Sequence, residues 1–219
     1  MGSIAILKPF CAGRSLGWQL LDASERLLSA LLLLAIAPLL AAAALVISLV
    51  SRRTPFIAHR RVGWQGSTLW ILKLRTMWDE QPRPNGGGQW VEYIEDGAGR
   101  GLKSAADARV RHGLARFCRR HSIDELPQLL HVVRGEMALV GPRPVTRAEL
   151  ERYYGRAAEE ILQAKPGLAG LWQVSGRNRL TYEERRRLDL ALVRNRSFRM
   201  YASILLKTFP ELWSGANTW

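Results

Sequence analysis

The chain has 219 residues, enough for one folded domain with a sizeable core and too few for a multidomain machine. Lysine and arginine number 32 against 19 aspartate and glutamate, a formal charge of +13, while 47% of residues are apolar. That balance excludes a disordered basic tail and a collagen-like chain, and it directs the surface toward phosphate, lipid headgroups or nucleic acid. Of the basic residues 27 are arginine and five lysine, which suits bidentate phosphate recognition and also follows from genome base composition.

Cys11 and Cys118 form no disulfide framework, and neither lies in a CxxC pair or within ligand spacing of a histidine. The soluble parts are therefore expected in the cytosol. His59, His112, His121 and His131 show no HExxH spacing, so a zinc site is not expected.

Between Arg26 and Arg52 lie 25 uncharged residues, Leu27 to Ser51. As a helix they extend ~37 Å, enough for a ~30 Å hydrocarbon core. Pro38 sits mid-segment, where it removes a hydrogen bond and clashes with the carbonyl four residues back, so a kink or break is predicted there. Lys8, Arg14 and Arg26 precede the segment, and Arg52, Arg53, Arg60 and Arg61 follow it. Cations favour the cytoplasmic side, so a helix that bends at Pro38 and returns to the same face satisfies both flanks, whereas a kinked simple span satisfies one. A cleaved signal peptide ending in the Ala41–Ala44 run is the other alternative, against which Asp22 and Glu25 argue.

Thr68–Leu74 reads as a strand, with Lys73 and Arg75 projecting to one face. Trp78–Ala106, rich in proline and glycine, reads as a long loop, and its GRGLKS stretch is no P-loop because Gly and Lys are not adjacent. From Asp107 onward, Val110, Leu114, Phe117 and Cys118 fall on one helical face, with Arg109, Arg111, Arg116, Arg119 and Arg120 around the rest.

A second helix is predicted to open at Asp124 or Glu125, with Pro127 in its first turn and Gly135 at its end. Ser122 and Glu125 also match a capping box, but that register moves Pro127 too deep into the helix. An acidic pair in a first turn is ordinarily a cap and dipole partner. The same position keeps a carboxylate ionised, as a nucleophile or divalent-cation ligand must be, and the arginine-rich helix before it suits phosphate oxygens. Acid, metal and cation together fit phosphoryl transfer.

Met137–Val140 reads as a strand entering Gly141-Pro142-Arg143-Pro144, where two prolines stiffen the turn that aims Arg143. Lys165-Pro166-Gly167 reads as a turn, Leu171–Val174 as a strand and Ser175–Asn178 as another turn. Thr181 and Glu184 match a capping box for a helix whose Arg185–Arg187 are expected on a solvated or headgroup-facing surface. A last helix after Ser197 places Phe198, Tyr201, Ile204, Leu205 and Thr208 on one side, with Phe209, Trp213 and Trp219 following, as core or as an interfacial anchor.

KLRTM (Lys73–Met77), RRHSIDELPQLLHVVRGEMALVGPRP (Arg119–Pro144) and KPGLAGLWQVSGRN (Lys165–Asn178) follow one another in order. With them the chain, from about Gln19 to the C-terminus, resembles the bacterial sugar transferases, the monotopic polyprenyl-phosphate sugar-1-phosphate transferases or phosphoglycosyl transferases. The resemblance implies an α/β fold with a re-entrant N-terminal membrane helix broken at Pro38 and a small mixed cytosolic domain with interfacial amphipathic helices. Residues 1–51 would form the membrane segment and 52–219 the catalytic domain, on the cytoplasmic face of a bacterial inner membrane.

The resemblance also implies Mg2+ dependence and a two-step reaction. Asp124 would attack the phosphate bearing the sugar in a nucleotide-diphosphate sugar, expected to be a UDP-sugar, and polyprenyl (undecaprenyl) phosphate would then take the sugar-phosphate, initiating glycan or exopolysaccharide assembly. Glu125 would help bind magnesium, Arg119 and Arg143 would lie near the phosphates, and Lys73, Arg75 and Gln173 would assist binding. Membrane lipids are expected partners, nucleic acid is not, and a homo-oligomer is left open. Two departures stand out: Ala37-Pro38 replaces the Ser-Pro common at the helix break, and Tyr201 stands where many relatives have aspartate. The large extra membrane region of longer members is absent from this sequence. The competing readings are a membrane-bound phosphodiesterase or pyrophosphatase using water as acceptor, and a non-catalytic basic membrane scaffold or nucleic-acid binder.

Overall fold

A computed structural model of the chain describes residues 15–77, 90–95 and 113–214. Most of the predicted loop Trp78–Ala106, the start of the helix expected from Asp107, and Trp219 lie outside the described residues.

The long apolar segment forms one helix, α1, over Leu16–Ser51. Pro38 lies inside this continuous helix rather than between two helices, so the expected break is not observed as an interruption. The physical reason is the packing of its neighbours: Leu33, Ile36 and Leu40 are held against the rest of the protein on the turns around Pro38, while Leu34 on the outer side is 74% exposed. Asp22, Glu25, Ser29, Leu33, Ile36, Leu40, Ala44 and Ile47, each three or four residues after the last, make one inward stripe along the helix. The outer face carries exposed leucines and valines from Leu16 to Val50. Only 17% of its most apolar 18-residue stretch is buried, which distinguishes α1 from the core helix of a soluble protein.

Three polar ties dock the front of α1. Asp22 pairs with Lys165 Nζ at 2.5 Å, Glu25 accepts from the Tyr201 hydroxyl, and the Leu139 amide donates to Glu25 at 3.3 Å. The two acids that argued against a signal peptide are thus fastened to the folded domain.

Strand β1 (Phe56–Val62) is central in a three-stranded sheet, antiparallel to β2 (Thr68–Leu74) and parallel to β3 (Val91–Ile94). Strand β2 has the predicted bounds, whereas β3 falls within the stretch expected to be loop. Arg60 and Arg61, expected as flanking cations of α1, belong to β1, and Arg60 pairs with Glu95 at 2.9 Å. A second sheet pairs β4 (Ala138–Val140) in parallel with β5 (Gly167–Ala169).

Helix α2 spans Gly113–Arg120, with Ala115 and Cys118 buried and Phe117 51% exposed against His121, so Phe117 leaves the face it was expected to share with Cys118. After Ser122 in left-handed conformation, a 3-10 helix (Ile123–Gln128) leads into α3 (Leu129–Val133). The helical run thus starts at Ile123, one residue before the expected opening at Asp124, with Ser122 in the N-cap position but making no side-chain cap, and Pro127 is its fifth residue, the placement the expected register avoided. Gly135 ends α3 at φ +74, with Gly135 N–H donating to Val132 O and Glu136 N–H to His131 O, a Schellman motif.

After β4 a capping box at Thr146 opens α4 (Arg147–Glu149), which continues as a π turn over Leu150–Tyr154 and leads to α5 (Ala158–Ile161). The predicted strand Leu171–Val174 is instead a short helix, α6, and the strand lies just before it in β5. Strand pairing selected Gly167–Ala169 because β4 approaches there backbone to backbone, leaving no room for a side chain at Gly141 or Gly167. Helix α7 (Tyr182–Arg194) carries the predicted Thr181/Glu184 capping box, and α8 (Phe198–Ser214) buries Tyr201 and Ile204. Phe198 is 51% exposed and stacks on Trp18 of α1, 4.4 Å between centroids.

Candidate active site

The free edge of β2 is covered by α3. The Leu72 amide donates to His131 Nε2 at 3.1 Å, which leaves the ring proton on Nδ1, 2.6 Å from Glu136 Oε2. His131 is thus a buried structural tie, and it sets the 3-10 helix beside the end of β2. There Lys73 Nζ meets Glu125 Oε1 at 2.6 Å.

Asp124 precedes Glu125 in the same first turn and is 7% exposed. Its charge reaches Cys118 of α2: burial, and secondarily the Asp124 carboxylate, push that thiol above its ordinary range, so Cys118 is a packing residue rather than a nucleophile. Arg119, half-buried in the last turn of α2, belongs to the helix that packs on the 3-10 helix.

Lys73 and Arg75 were expected to share a face, but β2 ends at Leu74 and their charged ends part. Arg75 is 4% exposed; its Nε donates to Thr54 O at 2.7 Å, and its Nη2 reaches Thr54 Oγ1 at 2.8 Å and Glu92 at 2.5 Å. It ties the α1–β1 connection to β3.

Arg143 and Gln173 come together at the carboxyl ends of β4 and β5. Arg143 pairs with Glu149 at 3.2 Å and lies 5.7 Å from the Trp172 ring centroid. Gln173 Nε2 donates to Leu168 O at 3.0 Å, and its amide fills the space a side chain at Gly170 would need. Burial pushes the Glu149 carboxyl up, but Arg143, the Thr146 amide and Arg61 together outweigh it and hold the group below the usual range.

Beneath them Asp189, with no exposed surface, accepts from Tyr154 Oη at 2.8 Å and from the Arg143 amide at 3.3 Å. Burial raises its carboxyl from 3.8 to about 7, against the lowering effect of Tyr154 and Arg143. The folded state therefore holds this proton more tightly than the unfolded chain. The group's contribution to stability is full below about pH 4 and is lost as pH rises toward 7. Asp189→Asn is expected to flatten that part of the profile, seen as a smaller fall in unfolding temperature between pH 4 and 7 than in the wild type.

Arg185 was expected on a solvated surface, yet it is 5% exposed and packs over Trp172 and Tyr182. The signal available for it was the α7 face: Arg185, Asp189 and Leu192 recur at i, i+4 and i+7, all buried. Tyr154 and Lys165 carried no comparable local signal, because their partners Asp189 and Asp22 are remote in sequence.

The acid pair of the first helical turn thus stands with Lys73, while Arg143, Trp172 and Gln173 stand at the ends of the parallel strand pair, and cations in both places are of the kind that suits phosphate. The chain belongs to the bacterial sugar transferase family, whose pattern matches residues 18–215. It is 44% identical over 179 residues to the UDP-galactose-lipid carrier transferase of Erwinia amylovora, covering 78% of this chain and 36% of that protein. It is 38% identical over 191 residues to the exopolysaccharide production protein ExoY of Sinorhizobium fredii, covering 85% and 82%. Against the UDP-glucose:undecaprenyl-phosphate glucose-1-phosphate transferase of Caulobacter vibrioides, identity is 37% over 198 residues, covering 87% and 68%.

Proposed function

We propose that this chain is a phosphoglycosyl transferase that moves a sugar-1-phosphate from a UDP-sugar to polyprenyl phosphate, of the undecaprenyl type, through a covalent aspartyl phosphosugar. The observation that carries this reading is Asp124, buried in a first helical turn beside the Glu125–Lys73 ion pair. An Asp124 carboxylate oxygen attacks the phosphorus that bears the sugar, and the bond to the bridging oxygen breaks, releasing UMP with that electron pair. A phosphate oxygen of the polyprenyl acceptor then attacks the same phosphorus, forming the new diphosphate bond and returning the pair to Asp124. Burial of Asp124 keeps water from the acyl phosphate between the two steps.

The donor set fits Mg2+. That ion is held by one or two carboxylates together with substrate phosphates and water, and Glu125 has a 31% exposed side chain balanced by a cation. Among the described residues no group of three His, Cys, Asp or Glu gathers. Glu125 would hold the ion, which when bound neutralises charge on the donor diphosphate. Lys73 positions the Glu125 carboxylate, while Arg119 and Arg143 bind phosphate oxygens and Gln173 orients the substrate.

We place the apolar outer face of α1 in lipid, with both ends of the helix on the cytoplasmic face of the inner membrane and its bend at Pro38. The same folded domain holds α1 at Glu25 and at Ile47, which supports this topology over a crossing that would carry the two ends to opposite sides. The ring pair of half-buried Trp18 and exposed Phe198, with the apolar α8, suits the interface. In a chain lacking its native cysteines, Ser24→Cys and Arg52→Cys are expected to react with an impermeant thiol reagent only in inverted membrane vesicles. Labelling of one site from each side would establish a span instead.

The test of the activity is UMP release by the purified chain with Mg2+, polyprenyl phosphate and a panel of UDP-sugars. Release that requires the lipid supports transfer and names the sugar. Release unchanged by omitting it identifies water as acceptor and a phosphodiesterase.

A further inference from the structure

Arg185 has no place in the reaction as described, yet its surroundings are those of a binding group. Its guanidinium carbon lies 4.9 Å from the Trp172 ring centroid and 5.5 Å from that of Tyr182. Nη2 donates to Arg177 O at 3.2 Å, and the buried Nε has no hydrogen-bond partner. One neighbouring donor shares this deficit: Trp172 Nε1 is also buried without a partner. Polar groups left unpaired in a protein interior cost free energy, and a cluster of them beside a cation marks a place where a ligand completes the set.

Charge points the same way. Arg143 stands close to Arg185, and burial, then the Arg143 cation, lower the Arg185 pKa. The carboxylates near them are Glu149, already bonded to Arg143 and to the Thr146 amide, and Asp189, which burial keeps partly protonated near neutral pH. The group therefore holds an excess of positive charge. Its position suits a substrate: Arg143 follows β4, Trp172 follows β5, and crevices outside the carboxyl ends of parallel strands are where such sheets hold ligands. Arg143, with a 26% exposed side chain, forms the rim, and Arg185 lies behind it.

We propose that Arg185 and Arg143, gathered around the Trp172 indole, form an arginine pair that binds one phosphate group of the substrate, with Arg185 as the inner member. The stacked guanidinium keeps its N–H edge directed in plane, the geometry that a phosphate accepts through two oxygens. The identity of the phosphate rests on the transfer reading above: it belongs either to the nucleotide diphosphate or to the polyprenyl phosphate, and the chemistry of capture is the same.

The experiment is equilibrium binding of UDP and of a short-chain isoprenyl phosphate to the full chain in lipid nanodiscs, for wild type, Arg185→Lys and Glu149→Gln. Lysine keeps the charge and loses the fork, so Arg185→Lys is expected to weaken one of the two ligands about tenfold and leave the other unchanged, naming the source. Glu149→Gln keeps the capping geometry while releasing Arg143, and the same ligand should bind about threefold tighter, a gain that loss of structure cannot imitate. Changes below twofold for both ligands in both variants overturn the proposal. If Arg185→Lys does not fold, the absence of tightening in Glu149→Gln overturns it alone. A wild type that binds phosphate through Arg185 but makes no lipid-dependent UMP keeps this site and sinks the transfer reading; an active wild type with Arg185→Lys and Glu149→Gln both unaltered in binding does the reverse.

Discussion

Asp124→Asn is expected to lower sugar-phosphate transfer at least about a thousandfold while the protein stays folded. The amide is isosteric with the carboxylate, so the 3-10 helix and its packing on β2 and α2 are kept. What it lacks is the anionic oxygen that must bond to phosphorus. Stability should fall little, because a neutral amide is cheaper to bury than a carboxylate that is 7% exposed. The measurement that separates this from a binding defect is the intermediate itself. Incubated with donor labelled in its sugar and with no lipid acceptor, the wild type should retain label on the Asp124 peptide, and the variant should retain none. Near-normal turnover in the variant would remove Asp124 from the role of nucleophile.

Gly167→Ala should be the most damaging small substitution in the domain, costing about 3 kcal/mol or more of stability. A methyl group there would occupy the position of the Gly141 backbone nitrogen and approach Ala169 O to 2.6 Å. The obstacles are backbone atoms of Gly141, just past β4, and of Ala169 in β5 itself, so no side-chain rotation relieves them. Relief requires β4 and β5 to separate, breaking the bonds from Gly141 N to Ala169 O and from Gly167 N to Pro142 O, both 2.9 Å. Arg143 and Gln173 hang from the ends of these strands, so transfer by the surviving folded fraction should drop at least about tenfold as well. Unfolding followed by tryptophan fluorescence, with kcat/KM on the folded fraction, tests both parts. An unchanged midpoint would mean that the strand pair is looser than its register indicates.

Much of the local structure was legible because its causes lie within a turn or two of sequence. Thr181 and Glu184 cap α7, Gly135 closes α3, and Thr68–Leu74 forms β2 from a short, mostly apolar run. The acid pair in a first helical turn was readable for the same reason, but the run starts at Ile123 with Ser122 in the N-cap position, one residue before the expected opening. The assignments that changed depend on distant partners. Leu171–Val174 has strand-like composition, but the pairing with β4 is available only where Gly167 faces Gly141, and the chain turns helical just beyond. Lys73 and Arg75 alternate on paper, yet one finds Glu125 and the other Thr54 and Glu92.

Composition and motif order were enough to establish a basic chain with one apolar helix, a candidate carboxylate dyad and membership of a sugar transferase family, because these depend on residue identity and short spacing. Folding settled which charges face a substrate and which tie the domain together. Arg75 and Lys165 became structural ties, Asp189 a buried acid and Arg185 an inner cation, because burial and pairing depend on neighbours from 17 to 143 residues away as well as on nearby turns. Spacing along the chain carries no record of those neighbours; the packing of α1, α7 and the β4–β5 pair supplies them.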